Sequence, residues 1–397
     1  MKLGCSAACN RAFKVACILA TAVMIGFWIL EFLKNEDTSV IEYKNFEEIE
    51  DTRYPELSLC FLRPFLAKKL RAHNSNLTFD SYWKYIEGKK SFEESYMDIT
   101  FNNVTFNLFD YLKNYQMQFN SNKELMKYTC KDAHNCKHII LKKNFDGLFD
   151  NVGFFRCFGI RIKRQFEKQV KVLVLHFKAS LENELSQMRK DTGINDVVTA
   201  VFNYPQQIYR YSENVRYIWK NPNEGNIINL FTITKMEVLK RRNKHGEPCL
   251  ANWMQFDDFI SNNHLEKKNC RAPYQTTQKR ICTTPKEMLD ANYRLSDGEK
   301  REYQAPCQEM SSITYTFNTI RYDSKEAFFQ LQVSYPRRIR SITQSKSVNI
   351  HSLIGNIGGY IGLFLGSFSI PEISLLITVP YLKKTALLDL QICSNTF

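Results

Sequence analysis

The chain has 397 residues, of which 44% are apolar and 24% charged, with a formal net charge of +13. That much apolar side chain excludes wholesale disorder. A positive balance of this size ordinarily raises nucleic acid as a partner, but the apolar residues bunch at the two ends of the chain.

Residues 1–14 form a short tail carrying Lys2, Arg11 and Lys14, and residues 15–33 (VACILATAVMIGFWILEFL) have Glu31 as their one charge. A helix of this length, at about 1.5 Å per residue, spans the roughly 30 Å hydrocarbon core of a bilayer. A cleaved signal peptide would use the same basic residues as its n-region. The length of the run and the lack of a small-x-small site in WILEFLKNE favour a retained membrane helix.

Residues 34–352 form the next block. Eight of the twelve cysteines lie in it, at Cys60, Cys130, Cys136, Cys157, Cys249, Cys270, Cys282 and Cys307. An even set in an oxidising compartment reads as disulfides. From spacing alone, only Cys130 with Cys136 is suggested, as a small stapled loop. The sequons at Asn76 and Asn103 fall in the same block, where glycosylation is possible. Residues 170–179 and 196–204 are β-branched and aromatic runs bounded by polar segments, residues 229–239 and 311–322 alternate, and residues 328–335 form a last such run, so all read as strands. Residues 251–268 read as helix, with Trp253, Phe256, Phe259 and Ile260 on one face. The expectation is one sheet built from both halves of the block, with a helical, disulfide-tied insertion. The basic cluster at 239–246 reads as a solvated loop. Outside the cell it has no nucleic acid to meet.

The second apolar run covers residues 353–382, interrupted by Pro371 and Glu372. It holds five of the fifteen glycines, Gly355, Gly358, Gly359, Gly362 and Gly366. Glycine weakens a helix by roughly 1 kcal/mol relative to alanine but is commoner in membrane helices, where faces without side chains let backbones approach closely. Lys383 and Lys384 follow in the tail at 383–397. With Arg11 and Lys14 before the first run, the positive-inside rule places both tails in the cytoplasm.

Sequence patterns for enzymes are missing: there is no H-E-x-x-H, G-x-S-x-G, C-x-x-C or phosphate-cradling G-x-x-x-x-G-K. His134 and His138 flank Cys136, but with that cysteine in a disulfide only two metal ligands remain. Asp257 and Asp258 are adjacent and point apart on a helix. The reading is a non-enzymatic protein without cofactor or metal.

Three elements then carry a resemblance. Basic residues open the first run in RAFKVACILA, YPELSLC (54–60) follows about twenty residues beyond it, and GGYIGLFLG (358–366) opens the second. This order resembles the degenerin/epithelial sodium channel family, which includes the acid-sensing channels. The resemblance implies an α+β membrane protein. Two transmembrane helices would flank a large disulfide-rich extracellular domain with a β-sheet palm and a helical thumb at about residues 249–307. It implies the disulfides Cys60–Cys157, Cys130–Cys136, Cys270–Cys282 and Cys249–Cys307. The thumb would be less stapled than usual, because further family cysteines are missing.

The functional implication is a subunit of a homo- or hetero-trimeric, sodium-selective, amiloride-sensitive-type cation channel in the plasma membrane, gated through its outer domain. Its partners would be the lipid bilayer, sodium ions and related subunits. Gly355, Asn356, Gly358, Gly359 and Gly362 would form the outer pore and gate, and Gly366, Ser367 and Phe368 the selectivity filter. The chain departs from the family at Phe368, where a serine is expected, at Glu372, which comes early, at Glu247, which replaces an aromatic, and in lacking a His-Gly element before the first helix. The alternative is a non-conducting or regulatory receptor or adhesion subunit.

Overall fold

The computed structural model describes residues 2–48, 53–73, 78–96, 99–132, 135–149, 153–195, 197–204, 216–217, 226–244, 248–249, 265–275, 277–292, 305–322 and 329–365. The chain divides into two units, Met1–Val40 with Gln344–Phe397 and Ile41–Thr343. The chain passes from one to the other within strands β1 (Asp37–Asn45) and β13 (Arg338–Lys346).

In the smaller unit, α1 runs from Lys2 to Lys34, and its stretch Arg11–Lys34 is long and apolar enough to cross a membrane. The last described helix of the chain, Ile350–Leu365, opens three residues before the apolar run begins. Asn349 explains the early start. Its Oδ1 accepts from the Ser352 backbone N–H at 2.7 Å, satisfying one of the unpaired donors of the first turn. Trp28 Nε1 donates to the Tyr360 hydroxyl at 3.3 Å, so the two helices touch through a polar contact between aromatic side chains. Ser347 N–H donates to Glu36 O at 2.9 Å, and Lys346 Nζ sits 3.2 Å from the Phe32 ring centroid.

The larger unit holds two sheets. One is mixed, and its strands come from both halves of the block. Its order is β1, β13, β10 (Asn226–Lys240), β12 (Gln330–Ser334), β7 (Val170–Phe177), β3 (Leu112–Phe119), β4 (Leu125–Tyr128), with β11 (Gln308–Tyr322) also on β10. Strand β10 organises it, pairing antiparallel with β11 along its length and parallel with both β12 and β13. The second sheet is antiparallel where its pairing is described, in the order β5 (Ile139–Phe149), β6 (Gly153–Ile162), β2 (Glu56–Leu62), β8 (Val198–Asn203), β9 (Arg216–Tyr217).

The expectation of one sheet therefore needs correction for the run at 196–204, whose strand β8 belongs to the second. Every residue of β8 and β2 is buried. A strand covered on both faces reads as an apolar run whichever sheet holds it. One core contains Leu57, Phe158, Leu175, Phe202 and Phe231, and so joins the two sheets.

A second cluster gathers α2 (Ala67–His73), α3 (Phe79–Ile86), α4 (Phe101–Val104) and α7 (Pro285–Ala291), while α5 (Arg164–Glu167) and α6 (Ser180–Thr192) lie outside it. The C-terminal helix, Ile350–Leu365, is accordingly α8. Helix α7 shows its sequence logic directly: in TPKE, Thr284 and Glu287 form a reciprocal capping box with Pro285 in the first turn. The part between Cys270 and Asn292 locks onto α3 through Tyr85 Oη, which donates to Cys282 O at 2.8 Å, and Asn292 Nδ2, which donates to Ile86 O at 2.8 Å. Residues 251–264, read as helix, lie outside the described residues.

Candidate functional site

The glycine-rich helix α8 follows β13 after a three-residue link. Gly355, Gly358, Gly359 and Gly362 lie on it, with Asn356 half-buried among them. A Cβ built on any of the four glycines meets nothing within 4 Å. The glycine positions are therefore not needed for contact with α1 or with any other described residue. Leu353 is buried, whereas Ile354, Ile361 and Leu363 are exposed, so apolar side chains alternate with bare backbone on the open surface of the helix. Gly366, Ser367 and Phe368 lie outside the described residues, as do Glu372 and Glu247.

Strand β13, which precedes that helix in the chain, is fixed to β10 by charge. Arg340 stands opposite Glu237 in the β13–β10 register, and its guanidinium donates to the carboxylate at 2.6 Å. Lys235 and Arg340 together hold the Glu237 carboxyl below its ordinary range. Arg241 and Glu309 form a second ion pair between the end of β10 and β11.

Buried polar groups that sequence patterns do not disclose sit deeper in the large unit. Arg156 on β6 donates to Asp146 at 2.8 Å and to Asn102 at 2.7 Å, and also contacts Thr105. Glu167 at the end of α5 is buried, with the Arg53 guanidinium at 3.9 Å. Burial pushes its carboxyl up to about 8, against the pull of Arg53, Arg161 and Arg164. Glu56 is pushed up by the same cause, partly offset by a hydrogen bond from Asn144. The only sequence signal for such groups is a charge inside an apolar run, as in YPELSLC and GFFRCFGI.

The described cysteine pairs are Cys60–Cys157, Cys130–Cys136, Cys249–Cys307 and Cys270–Cys282. Cys60 and Cys157 face each other directly across β2 and β6. Asn103 is exposed on α4, whereas Asn76 lies outside the described residues. His138 is buried with Nδ1 3.0 Å from the Tyr115 hydroxyl, and no described group of acidic, histidine or cysteine side chains has the arrangement of a metal site. His134, Asp257 and Asp258 lie outside the described residues.

A disulfide-tied unit of two sheets, entered from one apolar helix and left into another, defines the class of molecule. The family model described as amiloride-sensitive sodium channel matches residues 8–370, and the chain belongs to that family. No curated protein matches its sequence. Among solved structures, a cryo-EM structure of a proton-activated chloride channel is 8% identical over 90% of this chain and 92% of the other, with a TM-score of 0.27. The crystal structure of Erv41p is 7% identical over 77% of this chain and 99% of the other, with a TM-score of 0.22. Likeness at that level carries no structural conclusion.

Proposed function

We propose that the chain is a pore-forming subunit of a trimeric, sodium-selective, amiloride-sensitive-type cation channel of the plasma membrane, gated through its extracellular large unit. Residues 15–33 and 353–382 are its two membrane helices, and both tails are cytoplasmic. Gly355, Asn356, Gly358, Gly359 and Gly362 line the outer pore and gate. Gly366, Ser367 and Phe368 form the filter, and Asn76 and Asn103 carry glycans.

The observation that carries this reading is the bare glycine face of α8, where an added Cβ would meet no other described part of the chain. In a membrane such a face suits close approach to identical helices around an axis, and backbone carbonyls exposed there are tolerated beside protein or water. Strand β13, cross-linked to β10 by Arg340 and Glu237, continues along the chain into that helix.

Voltage clamp of oocytes expressing the chain, alone and with related subunits, tests the proposal. A sodium current whose reversal potential shifts in Gly366→Val supports it. Absence of current under acid, peptide and mechanical stimuli, with surface delivery confirmed, contradicts it. An unshifted reversal potential in the variant contradicts the filter assignment.

A further inference from the structure

A cleft of about 310 Å³ opens on the large unit where the end of β1, the residues before β2, the start of β7 and the turn between β12 and β13 converge. Three largely buried aromatic residues, Phe46, Tyr54 and Tyr335, make up its floor. Phe46 stacks on Tyr54 and Tyr54 on Tyr335, each pair with centroids 4.2 Å apart.

Hydrogen bonds hold these segments in place. Phe46 N–H donates to Arg337 O at 2.9 Å, Tyr335 N–H to Lys171 O at 2.9 Å, and the Tyr54 hydroxyl to Val170 O at 3.1 Å. The cleft is thus formed by the fold itself, as ligand sites usually are.

The rim has one sign of charge. Lys168, Lys171 and Arg337 line it, and among the described residues no carboxylate does. Among the described residues neither Lys171 nor Arg337 has an ion-pair partner. Of the acids close in sequence, Glu48 accepts from the Asn45 amide at 2.6 Å, Glu56 accepts from Asn144 at 2.6 Å, and Glu167 is buried against Arg53.

We propose that this cleft binds a small aromatic carboxylate, its ring on the Phe46–Tyr54–Tyr335 floor and its anionic head at Lys171 and Arg337. The cations alone, exposed to water, would hold an inorganic anion only weakly, because screened surface charges contribute little. The floor alone would accept any flat apolar molecule. Floor and rim together select a molecule with both features, since a guanidinium or ammonium hydrogen bond to a carboxylate is stronger than a neutral one. The volume is at the lower end of ligand sites, which run from about 300 to about 1,000 Å³, and so sets a small upper size. The site concerns the large unit alone and does not depend on conduction.

Saturation-transfer NMR and calorimetric titration of the detergent-purified full chain test the site, with 2-naphthoate as probe and its neutral amide, 2-naphthamide, as control. The expected result is saturable naphthoate binding at least about tenfold tighter than the amide, and about tenfold weaker in the double variant Lys171→Gln/Arg337→Gln. Both positions are exposed, so folding of that variant is expected and is checked by its melting curve. Equal binding of the amide, unchanged binding by a folded double variant, or displacement of naphthoate by equimolar sulfate would each overturn the proposal. Because binding is read and not current, failure here and failure of the pore reading are separate results.

Discussion

Gly159 in the large unit and the glycines of α8 in the smaller one answer to different neighbours. At Gly159 in the middle of β6, an added Cβ would lie 2.5 Å from Glu56 Oε1 and 2.8 Å from Asn144 Nδ2. That glycine makes room for a buried carboxyl and its hydrogen-bond network, in which Asn144 also donates to Ser58 at 2.8 Å. The four described glycines of α8 make room for nothing among the described residues. A glycine whose space is filled records internal packing. A glycine whose space stays open on a helix, where it costs stability, records something outside the described chain.

This contrast can be attacked first where internal packing is tightest. Arg156→Ala removes a buried guanidinium and leaves Asp146 with Lys143 as its remaining ion pair, at 2.7 Å. A destabilisation of about 3 kcal/mol is expected in denaturant unfolding of the purified chain. A loss under about 1 kcal/mol would mean that Arg156 is not a keystone of the large unit. Gly159→Ala should cost about 1–3 kcal/mol by overpacking. A neutral result would break the contrast from its packed side.

The pH dependence of folding sharpens the same side. The folded carboxyl of Glu167 sits at about 8, above an ordinary value of about 4.3 in the unfolded chain. Between those values the folded state binds the extra proton, so this contribution to stability is complete below the lower value and is lost as pH rises through the upper one. Glu167→Gln should flatten the melting temperature over that window, and an unchanged pH profile would locate the titration elsewhere. The smallest effect is expected at Gly358→Ala, which should leave the melting of the large unit unchanged. Within α8 itself, alanine favours helix by up to about 1 kcal/mol.

The first apolar run was the most legible part of the sequence, because length without charge is a local property; of the second, at 353–382, the helix is described only to Leu365. The cysteine partners beyond Cys130 with Cys136 became legible through family likeness. Strands β7, β10, β11 and β12 were visible as β-branched, aromatic or alternating runs, but their sheet partners were not. Pairing of β2 with β6 and β8 joins residues separated by about a hundred positions or more, and nothing local in ELSLCFL specifies it. The start of α8 was missed because Asn349, His351 and Ser352 are polar, and the cap that explains them depends on geometry. The burial of Arg156 and Glu167 likewise follows from tertiary contacts that periodicity does not carry. The proposed filter at Gly366, Ser367 and Phe368 falls just beyond the described residues and rests on the family's motif order.

The central claim is that the open glycine face of α8 lines an ion path, and cysteine modification tests it directly. Gly358→Cys is expressed in oocytes, and a positively charged methanethiosulfonate reagent is applied from outside during voltage clamp, with the unsubstituted chain as control. The account predicts a sodium current that the reagent abolishes in the variant and spares in the control. A variant current left intact, with labelling of the introduced thiol confirmed on the recovered protein, would contradict it.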